Sequence, residues 1–277
     1  MTFLLLGIAI LAVWAPPLRL PHLVPAWWPC FAAALLAAVV EGVVRWPGLL
    51  AIALLLACAW GSKRADGAAG ALFTAALAGL ALAMALHLVP GFRNPVHLAG
   101  VRASVDGAGF TQYLNFDKGA AGLVLLAFHG RRGGFPPVRT LLIAGVTVVV
   151  TLGLAVALAH VRVDVKWPSY ALSFLLINLL FTCVPEEAFF RGLVQERLMA
   201  IAARRRAWAG ASVVACAALF GLAHLGGGPT AAAIAAVAGL GYAVAYAATR
   251  RVEAAVLAHF AVNAVHFIGF TYPHRSA

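Results

Sequence analysis

Two glutamates, Glu186 and Glu187, stand side by side in the run Val184-Pro185-Glu186-Glu187-Ala188-Phe189-Phe190-Arg191, just after the almost wholly apolar stretch from Ala171 to Phe181. A carboxylate at membrane depth is costly unless it is paired. Two neighbours cost more, because like charges oppose joint ionisation. On an α-helix Glu187 and Arg191, four apart, share a face and can form an ion pair. Glu186 then points about 100° away, at roughly 3.6 residues per turn. One carboxylate is thereby held as support, and the other is left for proton chemistry as a general base.

Two later apolar stretches bring further polar groups at helical spacing. Phe220 is followed four residues on by His224, and His259 by Asn263, with His266 beyond. Glu, two His and Asn on apolar helices suit a hydrolytic centre. Glu186 with His224 would bind and activate water, either directly or through a metal ion. His259 and Asn263 would donate hydrogen bonds to a developing oxyanion. Glu186, His224 and His259 also form an acceptable zinc set with an open position for water, although no His-Glu-x-x-His occurs.

Each group has a plainer use as well. Glu187 with Arg191 reads as a structural ion pair. His224, before Leu225-Gly226-Gly227-Gly228-Pro229, can close a helix end. His259, Asn263 and His266 can act as interhelical hydrogen-bond glue, worth about 0.6–2 kcal/mol. Glu41, His87 and His160 touch apolar runs and read as structural. Gly239 and Gly241 fit close helix packing beside Tyr242 and Tyr246.

The elements that position these groups follow from composition. The chain has 20 Lys+Arg against 9 Asp+Glu, is 64% hydrophobic and 10% charged, and has a mean hydropathy of +0.96. Soluble domains carry about 25% charged residues. A surface this apolar requires lipid, so the expected fold is all-α, a polytopic transmembrane helical bundle. The basic residues sit in short connectors, where they face anionic lipid, and no basic patch with interleaved aromatics points to nucleic acid. Cys30, Cys58, Cys183 and Cys216 lie in or beside apolar runs without a C-x-x-C pair, and read as small buried residues. The start Met1-Thr2-Phe3-Leu4 has no basic leader and reads as a first membrane segment.

Spanning helices need about 20 apolar residues. Candidate runs are 2–15, 27–44, 47–61, 68–92, 119–130, 140–160, 169–190, 207–224, 229–249 and 252–270, which gives eight to ten spans. The run 119–130 is the weakest, either a span or a re-entrant or interfacial piece. With ten spans, the connectors holding Arg131, Arg132, Arg139, Arg197, Arg204, Arg205, Arg206, Arg250 and Arg251 belong to the more basic set and face the cytoplasm. The long polar connector 93–118 divides the chain into N-terminal helices and loop, 1–118, and a C-terminal core, 119–277, with the motifs in about 165–270.

The ordered set Glu-Glu-x-x-x-Arg, Phe-x-x-x-His and His-x-x-x-Asn resembles the motifs of the type II CAAX prenyl endopeptidases, within the wider group of CAAX proteases and bacteriocin-processing intramembrane metalloproteases. Every motif position is matched. The resemblance implies an intramembrane endopeptidase of the cell membrane acting on a membrane protein or peptide. It implies that Glu186 activates water with His224 as partner, that Glu187 and Arg191 support it, and that His259 and Asn263 form the oxyanion or metal-side pair. The group includes both glutamate-type and metal-dependent descriptions, so either no cofactor or a divalent metal such as zinc is implied. Two other readings of the same polar groups are a transporter or proton relay, and a non-catalytic scaffold or immunity protein.

Overall fold

The computed structural model describes residues 1–19, 23–133, 137–204 and 210–276. Arg205 and Arg206 of the arginine triplet lie outside the described residues, as does the side chain of Arg204. The helices are α1 (Thr2–Leu11), α2 (Trp27–Val40), α3 (Trp46–Arg64), α4 (Gly67–Ala85), α5 (Phe116–His129), α6 (Pro137–Ala157), α7 (Ala171–Asn178), α8 (Val184–Glu187), α9 (Glu196–Arg204), α10 (Gly210–Ala223), α11 (Pro229–Thr249) and α12 (Val252–Gly269). Among the described residues, six helical stretches are long and apolar enough to cross a membrane: Trp46–Arg64, Gly67–Ala85, Pro137–Ala157, Ala171–Ala203, Pro229–Thr249 and Val252–Gly269. Thr2–Trp14, Trp27–Val40 and Gly210–Ala223 are shorter apolar helices. The all-α, multi-spanning class read from the sequence holds, and eight to ten spans approximates the six long and three shorter helices.

The chain forms two compact units that interleave in sequence. One comprises Met1–Val96, Tyr113–Gly130 and Leu180–Phe189; the other comprises His97–Gln112, Arg131–Leu179 and Phe190–Ala277. In the first, α1 packs on α2 and α3 on α4, while α5 is packed by α1, α3, α4 and α8. That setting explains α5, the weak run of the sequence. It has 14 residues, about 21 Å at 1.5 Å per residue, short for a crossing. It is buried almost all round, from Phe116 and Asp117 through Leu126, as an interior helix should be.

In the second unit α11 packs on α6, α10 and α12, and α12 also on α6 and α7. The close approaches are made at glycines. A Cβ on Gly241 would lie 2.2 Å from Thr147 Oγ1, and one on Gly221 would lie 2.8 Å from the Ala232 carbonyl. The strands β1 (Val96–Val101) and β2 (Phe110–Tyr113) pair within the long polar connector. Phe110 of β2 meets Phe174 and Tyr272 edge-on, and Phe174 stacks on Phe267 at 4.0 Å. One face of α6 exposes Val138, Leu141, Leu142, Val146, Val149 and Val150. In water this would be a large apolar patch; for a spanning helix it is the lipid boundary.

Candidate active site

The acids lie on a helical run that is not uniformly α. Leu179–Cys183 and Ala188–Gln195 are wound as π-helix, flanking the α-helical turn Val184–Glu187. Pro185 supplies a reason for the first of these. A proline inside a helix lacks the N–H and its ring meets the carbonyl four residues back, and a π turn absorbs that conflict. The reading of Glu187 and Arg191 as neighbours on one face assumed 3.6 residues per turn. The stretch that joins them is π-wound, so that spacing argument does not carry over.

In the first unit, Glu187 is fully buried and Glu186 is partly buried. Glu186 Oε1 accepts a hydrogen bond from the Lys118 ammonium at 2.7 Å, with the two side chains 16% and 17% exposed. Lys118 is the third residue of α5. The start of that helix is pinned by Asp117, which accepts from His87 Nδ1 at 2.7 Å, from Asn94 Nδ2 at 3.0 Å and from the Lys118 backbone N–H at 2.8 Å. Asn94 Oδ1 in turn accepts from the Phe116 N–H.

In the second unit the polar groups gather around Phe220, which is buried on α10. His224 lies 4.6 Å from its ring, His259 meets it edge-on at 5.6 Å, and Tyr242 edge-on at 5.7 Å. Tyr242 stacks on His259 at 4.6 Å with the planes 14° apart. The fully buried Arg191 guanidinium lies 4.8 Å from the Phe220 centroid, 5.4 Å from Tyr242 and 5.6 Å from Phe190. It also donates to the Gly239 carbonyl at 2.9 Å. A cation caged by aromatic faces keeps favourable electrostatics where water is excluded. Gly239 packs closely there, since a Cβ would lie 3.0 Å from the Phe220 side chain.

His224 Nδ1–H donates to the Phe220 carbonyl at 2.8 Å, because a carbonyl can only accept. In the neutral ring that leaves Nε2 as the basic nitrogen. Asn263 Nδ2 donates to Asn178 Oδ1 at 3.1 Å. His259 is buried. The third acid of the region, Glu196, is occupied structurally: it accepts from Tyr246 Oη at 2.6 Å and Arg250 at 2.5 Å, with Arg131 Nε at 3.4 Å. Arg250 stands at φ +57°, in the left-handed region that ends many helices.

Among the described residues no three His, Cys, Asp or Glu side chains form a group able to hold a metal ion. Of the donor set read from the sequence, Glu186 belongs to the first unit and His224 and His259 to the second.

Sequence reasoning missed Lys118 and Asn178. Lys118 was read as connector charge, and its partner lies 68 positions away. Asn178 had only its polarity within an apolar stretch to mark it. The histidines and acid read as structural do have partners: His87 with Asp117, His160 stacked on His274 at 5.3 Å, and Glu41 with the N-terminal ammonium at 3.3 Å.

Residues 167–265 match the family described as type II CAAX prenyl endopeptidase Rce1-like, the family whose ordered motifs are present in the sequence. The matched segment includes Glu186, Glu187, Arg191, His224, His259 and Asn263. No curated protein and no solved structure matches the chain.

Proposed function

We propose, from the match of residues 167–265 to the type II CAAX prenyl endopeptidase family, that this multi-pass membrane protein is a glutamate-type intramembrane endopeptidase of the cell membrane. Its substrate is a membrane-associated protein or peptide cut near a lipidated C-terminal segment. The Glu186 carboxylate takes a proton from water, and the hydroxide attacks the peptide carbonyl carbon. The carbonyl π electrons move to oxygen, and N–H groups of His259 and Asn263 stabilise that oxyanion. Collapse breaks the C–N bond, and the proton held by Glu186 passes to the departing amine. His224 Nε2 accepts a hydrogen bond from the water and orients it, its Nδ1–H being committed to Phe220. Glu187 and Arg191 support the turn that carries Glu186.

One observation carries this reading: a single family match takes in all four groups. The α12 pair supports it, because Asn263 is already oriented by Asn178 and His259 by the Tyr242 ring. The test uses the full-length protein in liposomes and a peptide ending in a farnesylated Cys-aliphatic-aliphatic-X sequence, paired with membrane proteomics of cells expressing wild type or Glu186→Ala. Glu186→Gln should lower cleavage by at least about 10²–10⁴-fold, the range for loss of a general base, while the protein still folds. Full cleavage by Glu186→Gln would sink the proposal. Activity should survive a strong chelator, and metal analysis of the purified protein should find no stoichiometric zinc.

A further inference from the structure

Lys118 lies well outside the matched segment, which starts at residue 167, yet its ammonium makes a 2.7 Å contact to the acid proposed to do the chemistry. Three features converge on that contact. His87, at φ +59°, turns the chain after α4 and brings its ring to Asp117. Asp117, Asn94 and His87 together fix the first turn of α5. One turn further along, Gly122 presses on the segment that carries the acid: a Cβ at 122 would lie 2.5 Å from Pro185 Cα. Residues 118 and 122, four apart, share a helix face. The face that touches Pro185 through Gly122 therefore reaches Glu186 through Lys118.

We propose that Lys118 is a positioning residue for the reaction proposed above: its ammonium holds the Glu186 carboxylate in a single orientation on α8 and so sets turnover. The inference rests on that reading of function. A lysine merely filling a helix surface would extend into the lipid headgroups. This one is largely buried and directed at a carboxylate, where each ion offsets the desolvation of the other. A compact ammonium with three donors can hold that carboxylate oxygen directly.

The experiment compares wild type, Lys118→Met, Lys118→Arg and Glu186→Gln in liposomes with the farnesylated peptide. Lys118→Met is expected to lower kcat by about 10-fold or more with KM within roughly threefold, the signature of an interaction used in the transition state. Lys118→Arg, which retains the charge, restores most of it. A thermal-unfolding cycle over Lys118→Met, Glu186→Gln and the double variant should be strongly non-additive, as for residues in contact. Wild-type kcat in Lys118→Met beside an inactive Glu186→Gln overturns this inference alone, as does an additive cycle. If the wild type leaves the peptide and the membrane proteome uncut, or Glu186→Gln cuts fully, the function reading falls and this inference with it.

Discussion

Gly122→Ala tests whether the seat of Glu186 depends on a backbone contact. The added Cβ would stand 2.5 Å from Cα, 2.6 Å from Cβ and 2.7 Å from Cγ of Pro185. Carbon pairs are most stable at about 3.5–4.0 Å, so α5 and α8 must part by roughly 1 Å. No rotamer change relieves this, because the opposing atoms are backbone and a closed ring. Exchanging glycine for alanine within a helix returns about 0.5–1 kcal/mol, whereas overpacking costs about 1–3 kcal/mol. The net loss of stability is then about 0–2.5 kcal/mol. The effect on catalysis is larger, since a misplacement of about 1 Å can cost on the order of 10²-fold in rate, and Pro185 is covalently joined to Glu186. The assay pairs peptide cleavage in liposomes with thermal unfolding in detergent. The control is Gly79→Ala on α4, where nothing lies within 4 Å of the new Cβ; it should be fully active and equally or slightly more stable. Wild-type kcat in Gly122→Ala would refute the dependence of the site on this contact.

Arg191→Met should cost about 3.5–5 kcal/mol in unfolding measurements, because a charged hydrogen bond contributes about 1.5–3 kcal/mol and a desolvated cation–π contact about 2 kcal/mol. Arg191→Lys should recover only part of this, lacking the planar fork. Asn178→Ala should lower kcat about fivefold through a loosened Asn263, one hydrogen bond being worth about 1 kcal/mol; unchanged kcat would remove Asn178 from the site. Burial, and then the neighbouring His274, hold the His160 imidazole below its usual range. The unfolded chain therefore binds the extra proton first as pH falls. Stability should be full above about 6.5, the ordinary histidine value, and decline below it. His160→Gln should flatten that decline in a thermal-unfolding series against pH, and an unchanged series would count against the assignment.

The membrane helices were legible because lipid leaves a chain few options: long apolar runs must wind up and satisfy their own backbone. Glu186, His224, His259 and Asn263 stand out in the sequence because polar groups are rare and costly in such runs. Other features were hidden for physical reasons. Helical spacing says which side chains share a face only if the winding is known, and Pro185 sits between two π stretches that change it. Lys118 looked like one more basic residue at a connector, since nothing local shows that its ammonium meets an acid 68 residues later. Phe220 was marked in the sequence only by its place four residues before His224; nothing there showed that its ring lies beside Arg191, His224, Tyr242 and His259.

The interleaving of the two units has a consequence for biosynthesis. Chains emerge N-terminus first, so α1 to α5 are made before residues 180–189, the last piece of their own unit. Residues 131–179 must be synthesised in between. Throughout that interval Lys118 has not yet met its carboxylate, and α5 has not yet met α8. The nascent protein therefore holds a buried-type cation in an unfinished helix cluster, the kind of species that insertion machinery shelters and quality control removes. The turn bearing Glu186 is thus also the closing piece of the fold around it, and a chain truncated before residue 180 should be degraded rather than accumulate as an inactive membrane protein.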